Sequence, residues 1–174
     1  MPGQKHEDPV AQHREKSSSH AAVAIITLSS SRSISTDRSG DIIQKLLEDG
    51  GHRVPVRRLI PDSRSILRAT LRELTRDKGI DAVITTGGTG LAPMDVTIEA
   101  VRGMLDKELP GFNALFMLLS YRQVKSAAML SRALAGAIKG KGIFCLPGSP
   151  RACKLALESL ILPELGHILM LLRS

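Results

Sequence analysis

From Ala21 to Leu28 the chain reads Ala-Ala-Val-Ala-Ile-Ile-Thr-Leu, an apolar run interrupted only by Thr27. A strand without polar alternation has no face to offer to water, so it must be covered on both sides, as in a parallel sheet. Parallel strands need crossover connections, usually helical. The following residues supply them. Ile42, Ile43, Leu46 and Leu47 recur at helical spacing before Gly50-Gly51, and residues 63–77 carry a stripe of Leu67, Thr70, Leu71 and Leu74. Val54-Pro55-Val56 with Leu59-Ile60 predicts a second strand, at a sheet edge because proline cannot donate to a ladder. Residues 80–85 predict a third strand, 96–105 and 112–124 two more helices, and 134–138 with 142–146 a strand pair. A final helix opens at Pro150, with a kink or an end expected at Pro163.

The expected architecture is therefore α/β: one domain over residues 21–174, three layers, and a mostly parallel sheet with ligands at the carboxyl edge of its strands. With 174 residues and 43% hydrophobic composition, the chain can bury a sufficient core without disulfides or structural metal. Residues 1–20 are polar and aperiodic and are expected to form a disordered tail. Its His6, His13 and His20 are spaced too widely to suggest a metal site.

Charge narrows the choice of partner. Lys and Arg number 24 against 17 Asp and Glu, a formal +7. The tail's Lys5, Arg14 and Lys16 cancel Glu7, Asp8 and Glu15, so the basic excess lies in the domain and favours phosphorylated small molecules, nucleotides or nucleic acid. One Tyr, three Phe and no Trp leave few platforms for stacking bases, which argues against single-stranded nucleic acid. Arg64, Arg68, Arg72 and Arg76 recur every four residues, either as a solvated face softened by Glu73 and Asp77 or as a surface for an anionic partner. No apolar stretch approaches ~20 residues, so no membrane span is expected. The polar start gives no expectation of a signal peptide, and two cysteines, Cys145 and Cys153, are expected to be packing residues of a cytoplasmic protein.

Three strand ends carry polar, glycine-bearing turns. Thr85-Thr86-Gly87-Gly88-Thr89-Gly90 follows the third strand, where glycine permits positive φ and lets an anion approach the amides. It matches neither the P-loop nor the dinucleotide fingerprint. Leu146-Pro147-Gly148-Ser149-Pro150 repeats the pattern, with Ser149 placed to cap a helix whose N-terminus also suits an anion. Ser29-Ser30-Ser31-Arg32 ends the first strand. Asp62 and Asp95 stand just before helices, where spacing favours N-capping for each; the alternative is that both face the crevice and hold Mg²⁺ against phosphate oxygens.

Together these segments resemble a known family. Thr27-Leu28-Ser29 with Arg32, Asp37, Ser39 and Gly40, the Gly87–Gly90 loop with Asp95-Val96-Thr97, Leu109-Pro110-Gly111-Phe112, Met129-Leu130-Ser131-Arg132 and Leu146–Pro150 are similar to motifs of the MoaB/MogA proteins of molybdenum cofactor biosynthesis. Ser120-Tyr121, Ser126–Arg132 and Leu162-Pro163-Glu164-Leu165 place the chain nearest to MoaB. The resemblance spans residues 21–170 and departs from the family at Ile98, where proline is common, and over residues 113–125.

It implies a molybdopterin-binding fold, assembly as a homo-trimer or homo-hexamer, and work beside other enzymes of the pathway. It also implies Mg²⁺-dependent adenylylation of molybdopterin by ATP, with a non-catalytic molybdopterin carrier as the alternative. Carried onto this sequence, Asp62 and Asp95 form the acidic pair, with Asp95 on the metal. Gly87, Gly88, Thr89, Gly90, Pro147, Gly148 and Ser149 cradle phosphates, and Ser29 and Ser131 offer hydroxyls to the pterin or its phosphate.

Overall fold

The computed structural model describes residues 20–174. The expected tail, as far as residue 19, lies outside them. His20 does not float free: its Nδ1 donates to the Gly51 carbonyl at 2.5 Å, tying the start of the domain to the first helix's exit.

Six strands form one sheet. In chain order they are β1 (Val23–Leu28), β2 (Arg57–Ile60), β3 (Ala82–Thr86), β4 (Lys107–Glu108), β5 (Leu134–Ile138) and β6 (Lys141–Leu146), ordered in space β2-β1-β3-β6-β5-β4. The first four in that spatial order are parallel, while β5 and β4 extend the sheet antiparallel. The helices are α1 (Arg38–Asp49), α2 (Arg64–Leu74), α3 (Thr97–Arg102), α4 (Pro110–Val124), α5 (Pro150–Ala156) and α6 (Leu162–Arg173).

Alternation along each central strand divides the interior in two. Val23 and Ile25 of β1 join Ile84, Phe144 and Leu146 beneath α1, α4, α5 and α6, with Ile43, Leu47, Phe116, Ala156 and Leu165 as the helical contribution. Ala24, Ile26 and Leu28 face the other way, with Val83, Ile143 and Cys145, onto Leu67, Leu71 and Leu74 of α2 and Ile98 and Val101 of α3. This is the three-layer arrangement that a strand apolar on both faces demands. The stripe expected on α2 is buried as read, at Leu67, Thr70, Leu71 and Leu74.

Several boundaries differ from the sequence reading. β2 begins at Arg57, because Val54-Pro55-Val56 runs alongside β1 with only the Val56 carbonyl engaged, accepting from Ile25. It is an edge strand, as Pro55 suggested. The two-residue β4 had no pattern long enough to betray it. Pro163 neither ends nor isolates a helix: a π turn at Leu157–Ile161 joins α5 to α6, and the widened turn covers the residue that a proline at 163 cannot hydrogen-bond.

The resulting helix, Pro150–Arg173, is 24 residues long and, by length and composition alone, apolar enough to cross a membrane, although Arg151, Lys154, Glu158 and Glu164 interrupt its apolar residues. Its inner face, Cys153, Ala156, Leu157, Ile161, Leu165 and Leu169, belongs to the domain's core. The arginine stripe also differs from expectation. Glu73 pairs with Arg58 at 2.5 Å and Asp77 accepts from the Gly79 amide, so neither softens it.

Asp37, at the entry to α1, is 1% exposed and accepts from the Thr27 hydroxyl at 2.7 Å, the Gly40 amide at 3.0 Å and Arg57 Nη2 at 3.0 Å. Burial pushes its carboxyl up, but those donors outweigh burial and hold it below the usual carboxylate range. A carboxyl lowered on folding stabilises the fold above its unfolded pKa, and that contribution is lost as pH falls through the folded value. Asp37→Ala leaves the half-buried Arg57 guanidinium with Asp41 as its remaining carboxylate partner, takes the acceptor from the Thr27 hydroxyl and the Gly40 amide, and should cost roughly 2–3 kcal/mol at neutral pH. Urea unfolding at pH 7 and at progressively lower pH should show the wild-type advantage shrinking as the acid limb is entered.

Candidate active site

The chain runs from β1 outward to β2, then crosses back over β1 to β3, so the direction of winding reverses between β1 and β3. A crevice opens at such a switch point, at the carboxyl ends of the strands. Register sets its floor: Thr27 lies beside Thr86 and Thr86 beside Leu146, so β1, β3 and β6 finish at one level. The loops beyond them and beyond β2 enclose a cleft of about 760 Å³.

Every residue assigned a site role from sequence lines this cleft: Ser29 after β1, Asp62 after β2, Gly87, Gly88, Thr89, Gly90 and Asp95 after β3, Ser131 before β5, and Pro147, Gly148 and Ser149 after β6. Arg32 and Met94 join them.

Glycine is a requirement at the bottom of the cleft. Gly87 has φ +96° and Gly88 φ +62°. A methyl on Gly87 would lie 2.4 Å from the Leu28 carbonyl oxygen, and one on Gly148 would lie 3.2 Å from the Gly87 Cα. The two glycine turns thus touch through bare backbone. Among the described residues, the amides of Gly88, Thr89, Gly90, Gly148 and Ser149 donate to no protein acceptor. Free amides concentrated at the end of a cleft make an anion cradle.

Neither aspartate is a helix cap. Ser63 caps α2, and Val96 precedes α3 without a side-chain bond. Asp62 instead ties two loops together, its Oδ2 accepting from the Ser30 amide at 3.0 Å and hydroxyl at 2.9 Å. Asp95 turns back on its own loop, Oδ2 accepting from the Ala92 amide at 2.8 Å. Each therefore has one oxygen committed to the protein. Asp62 lies against Gly88 and Asp95 against Gly90, at two points of one glycine loop. Capping does hold for Ser149, whose hydroxyl accepts from the Ala152 amide at 3.2 Å.

Three supporting groups stood in the sequence only as parts of the family motifs, with no role assigned to them. Ser39 Oγ donates to the Gly148 carbonyl at 2.9 Å and anchors the second turn. Thr97 Oγ1 donates to the Gly87 carbonyl at 2.8 Å from a fully buried position. Arg132 donates from Nε to the Thr89 carbonyl at 2.8 Å and from Nη2 to the Gly90 carbonyl at 2.7 Å, while Nη1 pairs with Glu99. That hydrogen bond holds the Glu99 carboxyl below its ordinary range. Cys153, under the cleft, donates to the Pro147 carbonyl at 3.3 Å; burial pushes its thiol up to about 11 and that of Cys145 to about 12, leaving both as packing groups.

The family described as "Probable molybdopterin binding domain" matches residues 24–167. The chain belongs to the MoaB/MogA family. Molybdenum cofactor biosynthesis protein B of Halalkalibacterium halodurans is 45% identical over 161 residues, which cover 92% of this chain and 95% of that protein. A crystal structure of a molybdenum cofactor biosynthesis protein B superposes with a TM-score of 0.87 at 42% identity, covering 89% of this chain and 97% of that one. The tungsten cofactor synthesizing protein MoaB of Pyrococcus furiosus does so at 0.80 and 35%, covering 89% and 98%. A role in molybdenum cofactor biosynthesis follows from that membership.

Proposed function

We propose that this protein adenylylates molybdopterin with ATP, releasing pyrophosphate. The observation that carries the reading is the pair Asp62 and Asp95 set against one glycine loop whose amides are free. Added negative charge in an anion cradle is sensible when a cation stands between it and the substrate.

Mg²⁺ suits that role. Among the described residues no cluster of three His, Cys, Asp or Glu could hold an ion by protein ligands alone. Mg²⁺ is commonly held by one or two carboxylates, with substrate phosphates and water completing its shell. Asp95 and Asp62 would hold it, and when bound it would neutralise charge on the phosphate oxygens.

In the reaction, an oxygen of molybdopterin's terminal phosphate attacks the α-phosphorus of ATP. The bond from that phosphorus to the bridging oxygen breaks, and pyrophosphate leaves with the electron pair. The attacking phosphate is already anionic at neutral pH, so no general base is called for. Alignment and charge neutralisation remain for the protein to supply. The Gly88–Gly90 amides and the Gly148-Ser149 turn would each hold a phosphate group. Ser29 and Ser131 would offer hydroxyls beside them, and Arg32 a positive charge.

Homo-trimeric or homo-hexameric assembly belongs to the same proposal; Leu115, Leu118 and Tyr121 of α4, each at least half exposed, offer it an apolar surface. The reading is tested by pyrophosphate release. Purified protein should release pyrophosphate when ATP, Mg²⁺ and molybdopterin are all present, and none when any one is withheld. Tight molybdopterin binding without pyrophosphate release would instead mark a carrier.

A further inference from the structure

Four successive carbonyls of the glycine loop are clamped by donors that do not line the cleft. Thr97 Oγ1 takes the Gly87 carbonyl at 2.8 Å and the Thr97 amide takes Gly88 at 2.9 Å. Arg132 takes Thr89 at 2.8 Å and Gly90 at 2.7 Å. Neither Thr97 nor Arg132 is among the cleft-lining residues. Every peptide here is trans, and in a trans peptide the N–H points opposite to its C=O. Pinning the carbonyls of residues 87–90 therefore aims the amides of residues 88–91 the other way, and none of those four amides donates to another of the described residues.

Three of the four residues from Gly87 to Gly90 are glycine, so the segment has little order of its own. Its order must come from outside. A guanidinium suits two adjacent carbonyls because its donors lie in one rigid plane, whereas an ammonium offers a point charge.

We propose that Arg132, acting with Thr97, is a positioning residue that fixes the Gly88–Leu91 amides toward a phosphate of the nucleotide before it binds. The inference rests on the adenylylation reading for the identity of that anion. Ordering the loop in advance removes that cost from binding, so its loss appears as weaker affinity.

The test uses inorganic pyrophosphate and MgATP as calorimetric ligands, with kcat and KM for ATP measured alongside. Arg132→Met should bind pyrophosphate about tenfold more weakly, the scale expected for lost charge-assisted hydrogen bonds. KM for ATP should rise more than kcat falls. Arg132→Lys should recover part of the loss. Removing Arg132 also leaves Glu99 unpaired, so Arg132→Met with Glu99→Gln restores the net charge without the clamp, and it should remain weak.

Wild-type affinity in Arg132→Met, or its recovery in the double variant, would overturn the positioning role. If Arg132→Met does not fold, Arg132→Lys decides: weaker pyrophosphate binding upholds the role and unchanged binding ends it. A wild type that binds pyrophosphate and loses affinity in Arg132→Met, yet makes no adenylyl product, refutes the adenylylation reading and leaves the clamp standing. A wild type that binds no pyrophosphate overturns both.

Discussion

Asp95→Asn should lower the rate of AMP transfer by ~10²–10³-fold, the scale on which one group that stabilises transition-state charge is worth. The substitution isolates charge from structure. Asp95 Oδ2 accepts from the Ala92 amide at 2.8 Å, and an asparagine oxygen can accept the same bond, so the loop should keep its course. Thermal unfolding should accordingly move little. The deficit should lie in kcat, and raising Mg²⁺ should restore part of it if the carboxylate serves to hold the ion. Asp62→Asn should behave in the same direction, its remaining oxygen still able to accept from the Ser30 amide and hydroxyl. A fully active Asp95→Asn protein would remove the acidic pair from the chemistry.

Gly87→Ala should be among the most damaging small substitutions in the described residues. Alanine at φ +96° is strained, and its methyl would stand 2.4 Å from the Leu28 carbonyl oxygen. Both sides of that contact are backbone, at the adjoining ends of β1 and β3. Neither can swing aside as a side chain would. Backbone strain and overpacking together should cost about 3 kcal/mol. For a domain of this size that corresponds to a fall of roughly 6–12 °C in melting temperature. Affinity for pyrophosphate should fall as well, because the loop that carries the free amides begins at this residue. Gly111→Ala is the matched control: nothing lies within 4 Å of the added methyl, and the residue sits in α4, so stability should hold or rise. Differential scanning calorimetry of the two variants separates a clash from a general intolerance of alanine.

The parts of this molecule that were legible in its sequence are those written in local periodicity. A strand buried on both faces announces itself as Ala21–Leu28 does, and the helical stripe on α2 was visible at Leu67, Thr70, Leu71 and Leu74. Glycine clusters at strand ends marked the cleft because few other residues tolerate such backbone. The supports behind the cleft were another matter. Arg132 acts on carbonyls 42 and 43 residues away, and a backbone acceptor leaves no trace in residue type. Asp37 and Arg57 likewise find each other across 20 residues, and only folding brings them together. For Asp62 and Asp95 the local signal pointed the wrong way. A carboxylate just before a helix looks the same whether it caps or turns into a crevice, and the choice was made by Ser30 and Ala92, which lie outside the capping geometry. At Pro163 the helix end that proline offered did not occur, because a π turn let the helix continue to Arg173.

The most direct test follows the α-phosphorus. With ATP labelled at that atom, wild-type protein, Mg²⁺ and molybdopterin should yield label in a molybdopterin adduct and none in pyrophosphate, while label at the γ-position should leave entirely as pyrophosphate. Label that stays in ATP, or that appears as free AMP without reaching molybdopterin, would contradict the transfer.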